Sequence, residues 1–131
     1  MKNKKLNSLL SYFFSLLALL LTTGTSPALA QANFPDKPVR IVVPFPPGGG
    51  TDLVVRALAA GMATELNQSF IIENKAGAGT VIGTDFVAKS QPDGYTLLVG
   101  TFAFAVNPSL LAKLPFDTNK AFDPVVLISR S

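Results

Sequence analysis

The sequence predicts an α/β fold in which helices flank a parallel sheet. Three apolar, β-rich runs at residues 39–45, 70–73 and 95–100 alternate with two segments of helical periodicity. The connecting loops are short, and nearly continuous apolar strands are typical of parallel sheets that are buried on both faces. Right-handed crossovers would place the loops after the first two strands at the same edge of the sheet.

The first strand is expected to end in a turn, because Pro44 lies inside the apolar run and Pro46 and Pro47 follow it. A helix is then predicted at residues 51–66, with Thr51 and Asp52 capping its start. Its apolar side chains recur at helical spacing and define one predicted buried face. That face consists of Val55, Leu58, Met62 and Leu66.

The second helix is predicted at about residues 81–90, with three inward side chains: Val81, Phe86 and Val87. A Pro-Asp-Gly turn at residues 92–94 separates it from the third strand. Beyond that strand, we expect a loop at residues 102–106 that enters a short helix at residues 107–110. An irregular connection follows at residues 114–124.

A last β-rich run, residues 125–128, predicts a further strand. An open parallel sheet seldom ends on an uncovered strand, so we expect the chain to be a fragment of a longer protein. Residues 31–131 would then form the N-terminal part of one α/β lobe.

Residues 1–30 have the three parts of a secretory signal peptide. Lys2, Lys4 and Lys5 give a charged start, residues 9–21 form an apolar core, and Ala28-Leu29-Ala30 is a small-residue cleavage site. We expect cleavage after Ala30. A membrane anchor is the less favoured alternative, because the apolar run is shorter than the ~20 residues of a spanning helix.

Charge and missing residue types limit the possible functions. After residue 30, eight Lys and Arg residues face eight Asp and Glu residues, so we expect no basic patch and no nucleic-acid partner. The absence of Cys excludes disulfides and thiolate catalysis, and it suits a bacterial periplasm. The absence of His removes the commonest general base and metal ligand. Three candidate carboxylates, Asp52, Asp85 and Asp93, lie on different elements, so we predict no catalytic residue, metal or cofactor.

The first glycine loop, residues 44–52, predicts an anion-binding corner. Gly48, Gly49 and Gly50 let backbone N–H groups approach a ligand with no Cβ in the way, and the positive end of a helix faces the same space. Asp52 has two interpretations: a helix cap, or a group that also orders water or accepts a hydrogen bond from a ligand.

The second glycine loop, residues 74–80, repeats this pattern before the second helix. Gly77, Gly79 and Gly83 are spaced one residue wider than the dinucleotide fingerprint, and no Gly-Lys-Ser/Thr sequence occurs. Dinucleotide binding is therefore disfavoured. Lys75 is interpreted as a solvated side chain, with a charge contribution to the site as the alternative.

The third strand ends in Thr101, a candidate ligand donor at the third edge, residues 100–103. The alternative for Thr101 is a hydroxyl that bonds its own backbone. Phe45 and Phe102 are candidates for lining the cleft, and core packing is the alternative for each.

These motifs occur in the order and spacing of a known family. Residues 34–56 (FPDKPVRIVVPFPPGGGTDLVVR), residues 71–101 (IIENKAGAGTVIGTDFVAKSQPDGYTLLVGT), and the segments NPSLL and LPFDTNKAFDPV carry the resemblance. In these segments the chain resembles the periplasmic substrate-binding proteins of tripartite tricarboxylate transporters, also called Bug-type receptors.

The resemblance implies the first lobe of a two-lobed, type II-like periplasmic binding protein. Such a protein closes as a monomer on a small organic carboxylate and delivers it to membrane permease subunits. The ligand would be a di- or tricarboxylate, an amino acid or an aromatic acid, held by backbone amides and ordered waters. The matching positions here are Phe45, Gly49, Gly50, Thr51, Asp52, Ala78, Gly79, Thr80, Thr101 and Phe102.

This sequence departs from the resembled family at two points. Thr80 stands where a further glycine is common in the family, which adds a side chain at the second glycine loop. The second lobe and the return strands of the first lobe are also missing. Two other hypotheses remain: an exported α/β enzyme or nucleotide- or phosphate-binding domain that uses the glycine loops, and a truncated receptor without activity.

Overall fold

The computed structural model describes residues 34–129. The predicted signal peptide and its cleavage site lie outside the described residues, as do Arg130 and Ser131. Within this range the strands are β1 (Val39–Val43), β2 (Phe70–Asn74) and β3 (Thr96–Leu98). The helices are α1 (Gly50–Leu66), α2 (Val81–Ala88) and α3 (Phe102–Leu110), and a 3₁₀ turn (Ala78–Thr80) precedes α2.

The strands form one parallel sheet in the order β2-β1-β3, which confirms the predicted α/β class. Val43, the last residue of β1, is in register with Asn74, the last residue of β2. On the other side, Val42 is in register with Leu98, the last residue of β3. All three strands therefore end at the same edge of the sheet, as predicted, and both glycine loops start there.

The helices cover both faces of the central strand β1. Ile41 and Val43 point to one face and pack against Val55 and Ala59 of α1. The intervening residues of β1 point to the other face, where Gly83 of α2 lies against Pro44. Val42 and Val43 are both fully buried, which is why β1 lacks the polar alternation of a half-exposed strand.

The buried face of α1 differs from the predicted one. Val55 is buried as expected, but Leu58 is 40% exposed and Leu66 is 48% exposed. Asp52 and Ala59 are buried instead. Because α1 is apolar over most of its circumference, several faces have a helical apolar repeat, and contacts with β1 and β2 select the one that carries Asp52.

Three predicted features after the second loop also need correction. The side chains of Val81, Phe86 and Val87 are only half-buried, because α2 approaches the sheet through Gly83 and Thr84. Residues 102–106 belong to α3 and are not a loop. Residues 125–128 are irregular and exposed and pair with no strand among the described residues, so the predicted fourth strand is wrong for this chain.

Candidate functional site

The first glycine loop turns out of β1 and opens directly into α1. Gly48 has φ +82°, a conformation that a residue with a Cβ rarely adopts, and Gly49 occupies the N-cap position. The first hydrogen bond of the helix runs from the Leu53 N–H to the Gly49 carbonyl, at 3.0 Å. The N–H groups of Gly49, Gly50 and Thr51 precede it and have no acceptor within the helix, so they are available to an anion.

Neither Thr51 nor Asp52 caps α1, contrary to the sequence prediction. The helix begins one residue earlier, at Gly50, and no side chain bonds its N-cap. Asp52 instead stabilises the loop from inside the first turn. One carboxylate oxygen, Oδ2, accepts a hydrogen bond from the Gly48 N–H at 2.9 Å.

The buried Asp52 is the centre of a polar cluster, which we define as Asp52, the exposed Arg56 and the half-buried Asn74. Its Oδ2 also accepts from Arg56 Nε at 2.8 Å, and its Oδ1 accepts from Asn74 Nδ2 at 2.9 Å. Arg56 reaches Asn74 Oδ1 at 3.0 Å, which closes the triangle. Asn74 Nδ2 further donates to the Phe45 carbonyl at 3.1 Å. The end of β2 is therefore bonded to both ends of the first glycine loop.

The polar cluster keeps Asp52 ionised although its residue is only 1% exposed. The Arg56 hydrogen bond, then the Gly48 N–H and the Asn74 amide, hold the pKa of the Asp52 carboxyl far below its usual range, against the opposing effect of burial. In return, Asp52 raises the pKa of Arg56. Both charges are therefore fixed over the physiological pH range.

The second glycine loop has an unusual backbone. Four consecutive residues, Gly77 to Thr80, have φ values of +132°, +47°, +60° and +81°. Two of them, Ala78 and Thr80, carry a Cβ, and a β-branched residue such as Thr80 is an outlier in this region. Successive left-handed residues form one tight left-handed turn with its N–H groups on a common side, and the N–H groups of such a turn can receive an anion.

Contacts from α2 and α3 hold the second glycine loop in place. Asn107, a buried residue of α3, donates from Nδ2 to the Gly79 carbonyl at 2.8 Å and to Thr80 Oγ1 at 3.3 Å. The Thr84 hydroxyl donates to the Thr80 carbonyl at 2.9 Å. Thr80 is itself 5% exposed, so its side chain packs against α3.

The third edge lies at the start of α3. Thr101 is the N-cap residue of α3 and its side chain makes no cap hydrogen bond. Phe102 is 80% exposed, whereas Phe45 is half-buried beside the apolar core. Core packing therefore accounts for Phe45 and not for Phe102.

Lysine and arginine side chains near the glycine loops are paired. Lys75 Nζ lies 3.4 Å from Glu73 and 4.1 Å from the ring centre of Phe86. Its side chain is 32% exposed, so it is neither a freely solvated lysine nor an unpaired charge directed at a ligand. Arg56 is bonded to Asp52. Peptide N–H groups are thus the main donors left to the site.

The ten predicted site residues fall into three groups at one edge of the sheet, and the structure links these groups through residues that the prediction omitted. Asn74 joins the first glycine loop to β2, and Asn107 joins the second glycine loop to α3. The i, i+4 spacing of Asp52 and Arg56 was a visible sign of their pairing. No local pattern in the sequence indicates the two asparagine contacts, which span 29 and 28 residues.

Two structural findings concern other kinds of site. In the range 34–129, no helix has the length and apolarity needed to cross a membrane. The same range contains no cluster of three or more acidic residues that could hold a metal ion.

Comparison with known proteins identifies the family. The family model described as "Tripartite tricarboxylate transporter family receptor" matches residues 54–131. The chain belongs to this receptor family. Membership agrees with the resemblance found in the sequence.

Individual receptors of this type are similar in sequence and fold. Protein BugT of Bordetella pertussis is 40% identical over 109 residues, which are 82% of this chain and 33% of BugT. The solved structure of periplasmic binding protein BugD is 44% identical with a TM-score of 0.66, covering 70% of this chain and 30% of that one. MatC of Rhodopseudomonas palustris, solved with bound malate, is 43% identical with a TM-score of 0.66 and covers 70% of this chain and 32% of its own.

This receptor chain therefore spans about a third of the length of the relatives that it matches. The residues matched by the family model, 54–131, contain the second glycine loop and the start of α3. The fold comparison confirms that the parallel sheet and its helices are those of receptors of this type.

Proposed function

We propose that this chain supplies the first-lobe half of the binding site in a periplasmic receptor that captures a small organic carboxylate and delivers it to a membrane permease. The main support is the pair of N–H-rich corners, one at the start of α1 and one at residues 77–80, which open from the same edge of the sheet. MatC, which shares this fold, binds malate.

The charges of the site explain why a carboxylate suits it. Helix N-termini and nests of N–H groups compensate negative charge without a cationic side chain. Arg56 and Lys75 are paired with Asp52 and Glu73, so neither is an unpaired cation for the ligand. Recognition through peptide groups is indifferent to the rest of the ligand, and the proposed class covers di- and tricarboxylates, amino acids and aromatic acids.

The proposed ligand contacts are backbone groups of Gly49, Gly50, Thr51, Ala78, Gly79 and Thr80, with Thr101, Phe45 and Phe102 at the borders of the cleft. Asp52 differs from the other proposed residues. Both of its oxygens are engaged within the polar cluster, so we assign it the task of fixing the first glycine loop.

A complete receptor would add a second lobe that closes over the carboxylate. We also propose export by a signal peptide at residues 1–30, with cleavage after Ala30, action as a monomer, and no catalytic activity. The names of the similar proteins describe binding proteins and not enzymes, which supports the last point.

A thermal-shift assay tests the proposal. Ligands that bind only the folded state stabilise it, by about 2.7 kcal/mol at 100 times Kd, which corresponds to roughly 10–20 °C in Tm for a domain of this size. The panel contains malate, succinate, citrate, aspartate and benzoate, with phosphate esters as the rival class. A shift with the phosphate esters alone, or with no member of the panel, contradicts the proposal.

Asp52→Ala provides a second test, with Asp85→Ala as its matched control. Asp85 is also paired to a cation in an i, i+4 arrangement, Lys89 Nζ at 2.7 Å, but it lies outside both glycine loops. Asp52→Ala should weaken carboxylate binding more than Asp85→Ala. Equal effects would show that Asp52 has no part in shaping the site.

A further inference from the structure

The second glycine loop is strained in a way that its own sequence does not relieve. Ala78, Gly79 and Thr80 have successive left-handed φ values, but only one of the three is glycine. Backbone of this kind persists only where surrounding contacts fix it, and such positions cluster at ligand sites. Something outside the loop must therefore hold it.

Asn107 reaches the loop from α3, the helix more distant along the chain. It lies on α3, 28 residues along the chain from Gly79, and is 9% exposed. Its Nδ2 group donates to the Gly79 carbonyl at 2.8 Å and to Thr80 Oγ1 at 3.3 Å. One amide group thus contacts both the peptide of Gly79 and the side chain of Thr80.

The contact with Gly79 also sets the direction of the next N–H group. The peptide between Gly79 and Thr80 is planar and trans, so its carbonyl and its N–H point in opposite directions. Because Asn107 holds the Gly79 carbonyl on the side of α3, the Thr80 N–H must point away from Asn107. The Thr84 hydroxyl holds the following carbonyl, that of Thr80, at 2.9 Å.

We propose that Asn107 is a positioning residue of the carboxylate site, which acts through the Gly79 carbonyl to aim the Thr80 N–H at the ligand. Asn107 does not touch the ligand. The inference rests on the function proposed above, because it assumes that this N–H binds the carboxylate.

The experiment compares Asn107→Ala and Asn107→Asp with Ser90→Ala in the full chain. Asp has the shape of Asn but an ionised carboxylate cannot donate to the Gly79 carbonyl. Ser90 is the matched control, since its hydroxyl also bonds a backbone carbonyl, that of Phe86 at 2.9 Å, beyond the far end of α2. Calorimetry measures malate affinity, and hydrogen exchange measures the protection of the Thr80 amide.

Both Asn107 variants should weaken malate binding by roughly fivefold or more, the effect of one lost buried hydrogen bond, and should change the exchange rate at Thr80. Ser90→Ala should lower Tm without either effect. Affinity losses that are equal in all three variants would overturn the proposal, because they would reflect stability alone.

Thr80→Gly distinguishes positioning of the strained loop by Asn107 from a merely structural role of Asn107. Glycine adopts a positive φ without a Cβ penalty, so the loop should need the contact less. In the Thr80→Gly background, Asn107→Ala should cost less than about twofold in affinity. An undiminished loss there refutes positioning through the strained loop.

The outcomes also separate this inference from the proposed function. If the unmodified chain binds no carboxylate, the proposed function fails, and the exchange rates still show whether Asn107 sets the Thr80 amide. If the chain binds malate and Asn107→Ala binds equally well, only the positioning role fails.

Discussion

Replacing Asn74 by Ala tests whether the polar cluster holds the first glycine loop. The change removes three hydrogen bonds, to the Phe45 carbonyl at 3.1 Å, to Asp52 Oδ1 at 2.9 Å and from Arg56 at 3.0 Å. A neutral hydrogen bond contributes about 1 kcal/mol and one to a charged group about 1.5–3 kcal/mol. Since water can replace part of the lost contacts at half-buried Asn74, we expect a net loss of about 2–4 kcal/mol in the free energy of unfolding.

Urea and thermal unfolding followed by circular dichroism measure this loss. For a domain of about 100 residues, each 1 kcal/mol corresponds to about 4–8 °C in Tm. Asn119→Ala is the control, because Asn119 is exposed in the connection after α3. A second variant, Asn74→Asp, places a carboxylate against Asp52 and should be less stable than Asn74→Ala at neutral pH. A stability loss for Asn74→Ala no larger than that for Asn119→Ala would show that the polar cluster does not hold the first glycine loop.

The remaining predictions concern glycine packing and pH. Gly83→Ala should destabilise the fold, because the new Cβ would lie 2.7 Å from the Lys75 carbonyl oxygen and 2.9 Å from Pro44 Cβ. In Gly61→Ala, the new Cβ on α1 meets nothing within 4 Å, so this change should stabilise the fold by about 0.5–1 kcal/mol. Denaturant titration measures both changes in the free energy of unfolding. If the two changes had the same sign, the packing described here would be wrong. The Asp52 contribution to stability should be fully present above the ordinary Asp pKa of 3.8 and should be lost as pH falls below it toward the depressed pKa. Acid unfolding of the unmodified chain and of Asp52→Asn measures this pH dependence. The prediction is wrong if the stabilities of the two proteins fall in parallel as the pH is lowered.

The strands and glycine loops were predictable because each has a local signal. The run from Val39 to Val43 is apolar except for Arg40, and Pro44 marks its end because it cannot donate to the sheet. Successive glycines at residues 48–50 indicate a tight turn without any knowledge of the neighbouring strands. These features depend on nearby residues alone.

The predictions that failed concern features that depend on contacts between residues far apart in the sequence. A short helix was expected to start at Asn107, but α3 begins at Phe102 and the Asn107 side chain bonds the second glycine loop. Residues 125–128 have high strand propensity, which is realised only beside a partner strand. The predicted buried face of α1 was wrong because Asp52, a residue type usual at surfaces, is buried and satisfied by hydrogen bonds from Arg56 and Asn74.

The pairing of Arg56 and Lys75 has a kinetic consequence. Attraction over distances longer than about 10 Å depends on unbalanced charge, and salt screens it beyond the Debye length. With both cations neutralised by Asp52 and Glu73, an approaching carboxylate meets only short-range peptide dipoles at the edge of the sheet. If the proposed function is correct, carboxylate capture should proceed by unsteered diffusion, at a rate that changes little between dilute and concentrated salt.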